Sequence, residues 1–558
     1  MLYTDDDKTQ KFYNRVAQKK ADFIDAAPAF LKNKPSVQLA PSGNGTAKPL
    51  QIQAGLEPYD GALSRIQAAH LLRRTGFGAS ALQINALTGA NASDVVDNIV
   101  DAALDTETTP VPPEPVWANE FVPINGTQEE VDAFIQNNLM WLNELQDEWL
   151  STMISVGFRE RMTLFWQNHF VTQYDDYFIA MHSYRYLRLL REHALGNLKD
   201  FVHAIGTDPA MLKYLDGDVN RNLEPNENYG RELLELFTMS PKDKDGNDNY
   251  SQADIEEIAR ALTGWVIDYL NHTTVFVPSR FDDGEKTFFG RTGSFGYDDV
   301  IDIIFEERGA QTAYFVCEKL YREFVYAVPD PDIVEQLATE LIANNYEIAS
   351  VVRILLKSAH FFDAQLAGSH IKSPIDLLAG MPNEVMVLPN LETVGFLKAV
   401  ASFLEQNLLN PPNVAGWPGY RSWVSTTSLP IRWLVTDFLL FGDNGGNIVD
   451  LVPVAKELPE HDDPLAAFKL PVALAEYFMA VPVENLDIGN VSEDFGGDLI
   501  NFPIPEEITN GPAYAENLAK IFLAGVPWYE WDIESEQAPI LLALFARFLT
   551  QMPEFHLS

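Results

Sequence analysis

The segment PNENYGRELLELF, residues Pro225–Phe237, holds the densest group of polar side chains with the chemistry of a catalytic or binding site. Residues three and four apart share one face of an α-helix, so a helix here sets Glu227 beside Arg231. Asn228 and Glu232 lie next to them. A carboxylate on this face is a candidate general base, and the polar and guanidinium groups are candidates for binding an anionic substrate. The alternative is an exposed ladder of ion pairs, each worth only about 0.2–0.5 kcal/mol.

The aromatic segment FWQNHF contains a single histidine, His169. An imidazole titrates near neutral pH, so His169 is a candidate general acid, with Glu227 or Glu232 as the base. The bulky neighbours on both sides equally fit a hydrogen-bonded histidine at the end of a buried helix.

Two further basic side chains, Arg260 in IARALTGW and Lys286 in FDDGEKTFFG, are candidates for holding the anionic part of a substrate. Guanidinium and ammonium groups bind carboxylate and phosphate oxygens through charge-assisted hydrogen bonds. The alternative is that both are charges on solvated loops.

The segment NPPNVAGWPGYRSW is rich in proline, glycine and tryptophan. Such a segment is rigid, so it can present Trp417 on the wall of a pocket, where an indole stacks on a sugar face or another flat ligand. The alternative is a packed turn in which the tryptophan fills core volume.

The loop DKDGNDNYSQAD resembles a calcium loop because Asp243, Asp245 and Asn247 recur at alternate positions with oxygen side chains, which Ca²⁺ prefers. The sixth position is Asp248, where an EF-hand requires glycine. The alternative is a polar loop in which Ser251 caps the next helix. A divalent cation such as calcium is the one cofactor that the sequence suggests.

The elements that would position these residues are almost all helices. Apolar residues recur at helical spacing in the segments Glu129–Val156, Ile179–His193, Leu198–Ile205, Glu227–Phe237, Gln252–Leu262, Tyr297–Phe305, Ala310–Phe324, Ile333–Ala343, Ile348–Ser358, Leu391–Asn407 and Leu429–Leu440. One stretch, HTTVFVPSRF around Val275, favours a short strand pair. We therefore predict an all-α fold, a large multi-helix single domain with minor irregular or β insertions and an acidic C-terminal segment.

Composition divides the chain of 558 residues into three parts. Residues 1–50 combine an amphipathic helical pattern with a flexible linker, PSVQLAPSGNGTAKP. Residues 51–440 form the main helical domain. Residues 441–558 carry most of their charge as Asp and Glu, and we expect them to pack on the main domain.

The charge balance excludes one class of partner. With 39 Lys and Arg against 80 Asp and Glu, the net charge is −41, and such a field repels the phosphates of nucleic acids. No run approaches the ~18 apolar residues of a membrane-spanning helix. The first residues are polar and do not resemble a secretion signal. As written, the sequence predicts a cytoplasmic protein without membrane insertion, and it leaves export open.

Six segments together resemble a known family, the domain of unknown function 1800. They are AAHLLRRTGFG (Ala68–Gly78), FWQNHF (Phe165–Phe170), PNENYGRELLELF (Pro225–Phe237), IARALTGW (Ile258–Trp265), HIKSPIDLL (His370–Leu378) and NPPNVAGWPGYRSW (Asn410–Trp423). Their order and spacing match the family from residue 68 to the C-terminus. The resemblance implies a fold class and a set of motif residues, but no established reaction.

Two positions depart from the family's pattern. Gln167 stands where the family often has a second histidine, which argues against a two-histidine metal pair. Phe281 stands where the family's segment begins with histidine, although Asp282, Gly284 and Lys286 match it. Phenylalanine neither binds a metal nor moves a proton, so we expect no role here that needs this histidine.

Two hypotheses about function follow. In the first, the chain is a hydrolase-like enzyme that acts on an anionic or glycan-type substrate through a pocket of His, Glu and Arg side chains. In the second, the chain is a non-catalytic partner of a sulfatase-like protein, since members of the family look like companions of such proteins. Both depend on whether the separated polar segments meet around one hollow.

Overall fold

The computed structural model describes residues 48–50, 52–107, 109–442, 447–486, 488 and 504–558. The predicted N-terminal arm, apart from its last three positions, lies outside the described residues. The described part of the chain is mostly helical, with two very small sheets, which confirms the predicted all-α fold. No helix in this part is long and apolar enough to cross a membrane.

The α-helices of the described residues follow one another with short connections. They are α1 (Arg65–Thr75), α2 (Ala81–Leu87), α3 (Ala92–Leu104), α4 (Gln128–Val156), α5 (Phe158–His169), α6 (Tyr174–Tyr177), α7 (Ala180–His193), α8 (Leu198–Ile205), α9 (Pro209–Tyr214), α10 (Asn228–Glu232), α11 (Gln252–Ala261), α12 (Tyr297–Glu307), α13 (Gly309–Phe324), α14 (Pro331–Ala343), α15 (Ile348–Lys357), α16 (Pro374–Glu384), α17 (Leu391–Phe403), α18 (Ser428–Phe441), α19 (Val452–Lys456), α20 (Ala466–Phe478), α21 (Glu506–Thr509), α22 (Ala513–Leu523) and α23 (Ala538–Gln551).

Local sequence explains where several helices begin. The longest, α4, starts at a capping box in which the Thr127 hydroxyl accepts from the Glu130 backbone N–H and the Glu130 carboxylate accepts from Thr127 N–H. Each end of this box satisfies a backbone donor that the first helical turn leaves unpaired. The same arrangement starts α16, where Pro374 follows Ser373 at a position that needs no N–H.

Two antiparallel ribbons are the only sheets of the described residues. Strands β1 (Trp265–Asp268) and β2 (Thr273–Phe276) pair with Val266 opposite Val275, and β3 (Lys286–Phe288) pairs with β4 (Arg291–Gly293). The strand signal around Val275 is therefore confirmed for β2, whose partner strand precedes it in the chain.

The predicted helix Glu227–Phe237 is divided into two parts. After α10 the chain winds into a π-helix, Leu233–Thr238, in which Thr238 Oγ1 donates to Leu233 O at 2.7 Å and Met239 N donates to Leu234 O at 3.0 Å. This wider turn ends the regular stripe of charged residues that the prediction assumed. Just before it, Gly230 faces α11, where a Cβ would lie 3.4 Å from Ile258 Cγ2, at van der Waals contact.

Helix α5, which ends at His169, is buried along almost its whole length. An ion pair clamps it to α7, because Arg191 Nε donates to both carboxylate oxygens of Glu160, at 2.9 and 3.1 Å. The side chains of Glu160 and Arg191 are only 1 % and 3 % exposed. The clamp fixes the helix that carries the candidate histidine.

The C-terminal part of the chain contacts the segments before it. The Arg73 guanidinium donates to the Met479 carbonyl at 3.1 Å and also to the Tyr477 carbonyl. Near the other end, the backbones of His370 and Ser558 exchange hydrogen bonds of 3.1 and 2.9 Å. The predicted boundary at residue 440 falls inside α18, and the division into three parts stays a prediction.

Gly78 occupies a position that only glycine fits. Its φ is +72°, and a Cβ there would lie 2.5 Å from the Gly380 carbonyl oxygen on α16. We expect Gly78→Ala to lower the free energy of unfolding by about 2–3 kcal/mol, since it adds a backbone clash to left-handed strain. Gly89→Ala is the matched control, with φ +85° and nothing within 4 Å of the new Cβ. Urea denaturation of the two variants measures the difference, and equal losses would contradict the close approach.

Candidate functional site

A cavity of about 820 Å³ lies where α1, α5, α13 and α16 meet the loop before α18. Its wall carries more cations than anions, although the whole chain has a net charge of −41. The basic residues that line it are Arg73, Arg74, Arg161, Lys319, Arg322, Lys372 and Arg421, against the two acidic residues Glu323 and Asp376. The cavity wall is therefore richer in cations than in anions, in a strongly acidic protein, although Glu384 behind the wall pairs with Arg73 and Lys372, and Glu318 pairs with Arg322.

Arg161 organises one side of the cavity. Its Nη2 lies 2.6 Å from Asp376 Oδ1, its Nη1 lies 3.6 Å from Glu323 Oε1, and its guanidinium stands 4.2 Å from the Phe77 ring centre. The Nε of Arg161 is buried without a hydrogen-bond partner. Arg161 therefore joins both acidic residues of the wall and retains one donor.

Arg74 is the more deeply buried cation, only 4 % exposed. Its Nη2 donates to Ser369 Oγ at 3.2 Å and to the main-chain oxygen of Ser558 at 3.0 Å. Its Nε and Nη1 are buried without partners. Burial lowers its pKa to about 9, so the guanidinium stays charged at neutral pH. Buried donors of this kind are normally satisfied, so Arg74 retains unused hydrogen-bonding capacity in the cavity wall.

His169 and Lys319 form a hydrogen-bonded pair beside the π-helix. His169 Nε2 donates to the Phe237 carbonyl at 3.0 Å, so Nδ1 is the acceptor for Lys319 Nζ, also at 3.0 Å. Lys319 Nζ donates in addition to the Leu236 carbonyl at 3.2 Å. The aromatic segment and the acidic helix segment thus meet through backbone carbonyls.

Burial shifts both groups of this pair toward their neutral forms. Desolvation lowers the pKa of His169 well below its usual value, and the neighbouring Lys319 adds to the effect. Desolvation also lowers the pKa of Lys319 to about 7. Near neutral pH the imidazole is therefore uncharged, with Nδ1 as its hydrogen-bond acceptor, whereas the amine titrates there.

The two acidic residues of the wall are shifted in opposite directions. Burial raises the pKa of Glu323, and Arg161 only partly opposes it. Burial would also raise the pKa of Asp376, but Arg161 and the Ser373 backbone N–H lower it below its usual value. Glu323 is thus a candidate proton donor, while Asp376 stays ionised and caps α16.

The aromatic wall of the cavity is docked by Asn168. Its Oδ1 accepts from Trp417 N at 2.6 Å, and its Nδ2 donates to Trp417 O at 3.3 Å. Gly416 precedes this contact with φ +80°, and a Cβ there would lie 2.3 Å from Asn168 Oδ1. Trp417 and Trp423 both line the cavity.

Of the residues singled out in the sequence, His169 and Trp417 line this cavity, whereas the polar group of α10 does not. Glu227 pairs with Arg231 at 2.9 Å, and both side chains are 38 % exposed. The Asn228 backbone N–H bonds to the Asn226 side chain. Desolvation raises the pKa of the half-buried Glu232 carboxyl, and Glu235 adds to the shift. These positions form a surface pair and a helix start outside the cavity.

Arg260 and Lys286 make their contacts with residues that lie near them in the sequence. Arg260 Nε donates to Asp282 Oδ2 at 2.8 Å, and its Nη1 lies 2.9 Å from Glu257 Oε2. Lys286 is buried and donates to the Asp282 carbonyl and, at 2.9 Å, to the Gly284 carbonyl. Phe281, in place of the family's histidine, lies under this ammonium with its ring centre 4.8 Å from Nζ.

In the calcium-like loop, a carboxylate hydrogen-bonds to the backbone of the loop itself. Asp243 Oδ1 accepts from the backbone N–H groups of Asp245 and Asn247, at 2.9 and 2.8 Å. Ser251 caps α11 in a capping box with Asp254. Across the described residues, no group of three or more His, Cys, Asp or Glu side chains is arranged to hold a metal ion.

Most of the basic residues that line the cavity were not predicted as site residues, although the sequence contains an indication of them. Arg73, Arg74 and Lys372 lie within segments that carry the family resemblance, and these segments also contain apolar residues that a buried helix or turn would use. A charged side chain in an apolar segment is rarely buried without a partner. Lys319 lies on α13, one face of which is buried.

Fold and cavity together define a large helical protein with a cation-rich, aromatic-walled cavity among its described residues. The chain belongs to the family described as Protein of unknown function (DUF1800), whose model matches residues 70–540. No curated protein and no solved structure matches the chain.

Proposed function

We propose that the chain is a hydrolase-like enzyme that binds an anionic, glycan-type substrate in the cationic cavity. The single observation that carries this proposal is the excess of Arg and Lys on the cavity wall of a protein with a net charge of −41. A cation-rich hollow inside an acidic surface attracts anions locally and repels polyanions elsewhere. The substrate is therefore an anionic group small enough, or at the end of a chain narrow enough, to enter the cavity.

The wall offers separate groups for binding and for chemistry. The free donors of Arg74 and Arg161 suit carboxylate, sulfate or phosphate oxygens. Trp423 is half-buried on the wall and is the tryptophan available to a sugar, whereas Trp417 is only 5 % exposed and packs in the core. Glu323, with its raised pKa, is the group suited to protonate a leaving oxygen.

Binding is tested with a galacturonic acid oligosaccharide and the galactose oligosaccharide of the same length. We expect calorimetry to detect the acidic compound only. Arg74→Gln and Arg421→Gln should each weaken binding about tenfold, or about 1.4 kcal/mol, because each removes a cation of the wall. Arg547→Gln is the control, since Arg547 pairs with Asp437 on the surface. Equal affinity for the two sugars would refute the anionic substrate.

Catalysis is tested separately from binding. Glu323→Gln should preserve the affinity for an acidic oligosaccharide and remove the cleavage that a screen of acidic glycans reveals. The alternative role, as a non-catalytic partner of a sulfatase-like protein, predicts that the wild-type chain cleaves none of these glycans. A stable complex with such a protein, together with no cleavage by the wild-type chain, would favour the partner.

A further inference from the structure

We infer that Lys319 is a nucleophilic amine that forms a Schiff base with an anionic aldehyde or ketone bound in the cavity. The inference rests on the proposed anion-binding role of the cavity and goes beyond hydrolysis. It names the substrate class as a carbonyl compound that carries a carboxylate, sulfate or phosphate group.

The surroundings of Lys319 are those of an amine and not of a structural ion pair. Its Nζ bonds to His169 Nδ1 and to the Leu236 carbonyl, both neutral acceptors. No ion pair joins Lys319 to a carboxylate of the described residues, in a chain with 80 Asp and Glu. Two of its hydrogens are thereby used, which leaves the third position of Nζ for a proton or a lone pair.

The position of Lys319 in the cavity wall favours the neutral, reactive form of its amine. Lys319 is half-buried and lines the cavity together with Arg74 and Arg161. Desolvation lowers the pKa of Lys319 to about 7, so roughly half of it is neutral at pH 7.

Glu323 is placed to assist the reaction, because it follows Lys319 by one helical turn on α13 and lines the same cavity. The Lys319 nitrogen attacks the carbonyl carbon, a C–N bond forms, and the carbonyl oxygen takes a proton from Glu323. The nitrogen then loses a proton to the Glu323 carboxylate, which returns it to the departing hydroxyl. Water leaves and a C=N bond remains, so the step needs no oxidant or reductant.

The test traps this bond in the wild-type protein. Glyoxylate, an aldehyde with a carboxylate, is added at pH 7 with cyanoborohydride, which reduces the C=N bond to a stable amine. Peptide mass spectrometry then locates the modified lysines. We expect Lys319 to be labelled about tenfold or more over Lys398, whose Nζ lies 2.7 Å from Asp147 Oδ1. Acetaldehyde, which lacks the carboxylate, should label Lys319 much less.

Two variants complete the test. Lys319→Arg should lose the label while Lys398→Arg keeps it, and Arg74→Gln should reduce the glyoxylate label but not the acetaldehyde label. Glyoxylate labelling that spares Lys319 and marks surface lysines would overturn the inference, and equal labelling by acetaldehyde would overturn the anionic substrate class. Since mapping is done on the wild-type chain, an unfolded variant does not decide the result. Binding of acidic sugars without any label would leave the proposed function intact and end this inference alone.

Discussion

Replacing Arg191 by methionine is expected to lower the free energy of unfolding by about 3–5 kcal/mol, because it strands the Glu160 carboxylate in the interior. Glu160 is 1 % exposed in side-chain area, so water cannot replace its lost partner. Burial already raises the pKa of Glu160 in spite of Arg191. Without Arg191 the carboxyl will bind a proton more tightly still, so the loss should shrink as pH falls. Urea denaturation at pH 8 and pH 6 measures both effects.

Two controls distinguish the cost of leaving a buried charge unpaired from the cost of losing a contact. The double variant Glu160→Met with Arg191→Met removes both charges, and we expect it to recover most of the loss. Arg547→Met breaks the exposed pair with Asp437 and should cost less than about 1 kcal/mol. If Arg191→Met costs no more than Arg547→Met, the clamp on α5 is not a buried ion pair. The consequence for the site is direct, since α5 carries Asn168 and His169.

The helices were largely predictable because their signals are local. The pattern Glu129–Val156 differs from α4 by one residue at its start, where Thr127 and Glu130 form a capping box within four positions. The helices α3 and α16 were missed for different reasons. The 13 residues of α3 carry the apolar spacing of a helix, so its signal was present in the sequence, whereas α16 contains Pro382. A proline inside a helix removes a hydrogen bond, which argues against a helix in the sequence.

The π-helix was not predictable from the charge pattern. The spacing of Glu227 and Arg231 correctly indicates one helical turn, and the two side chains do pair. What the pattern cannot show is that Thr238 bonds back five residues to Leu233. The segment ends at Thr238, so the carbonyls of Leu236 and Phe237 lie in its last turn without a partner inside the helix, and they bind Lys319 and His169.

The cavity itself depends on contacts between residues far apart in sequence. His169 and Lys319 are 150 positions apart, and Asn168 and Trp417 are 249 apart. Spacing along one helix predicts which residues share a face, but not which faces meet. Several of the segments that carry the family resemblance line the cavity. Within these segments the prediction relied on acidic residues of an exposed helix and not on the arginines, whose partners are not visible in the sequence.

A pH-dependent gain in stability is expected from Asp208→Asn. Asp208 caps α9, where its Oδ1 accepts from Ala210 N at 2.9 Å and Met211 N at 3.2 Å. Burial raises its pKa to about 7 from an ordinary value of 3.8, although these N–H groups and Arg185 oppose the shift. Because the pKa of this carboxyl is higher in the folded state than in the unfolded state, the folded state binds the proton more tightly. The carboxyl therefore stabilises the fold fully below its unfolded pKa, and the free energy of unfolding falls as pH rises through the folded pKa.

The size of the gain follows from the same shift. About three pKa units correspond to about 4 kcal/mol, so asparagine, which keeps the capping oxygen and carries no charge, should stabilise the protein by up to about 4 kcal/mol above pH 8. At pH 5.5 the gain should be about half of this. The control is Asp330→Asn, since Asp330 also precedes a proline and caps α14 but is only half-buried. Urea denaturation from pH 5.5 to pH 8.5 should show a gain that rises more steeply for Asp208→Asn than for Asp330→Asn; parallel curves would mean that the Asp208 carboxylate is not penalised by burial.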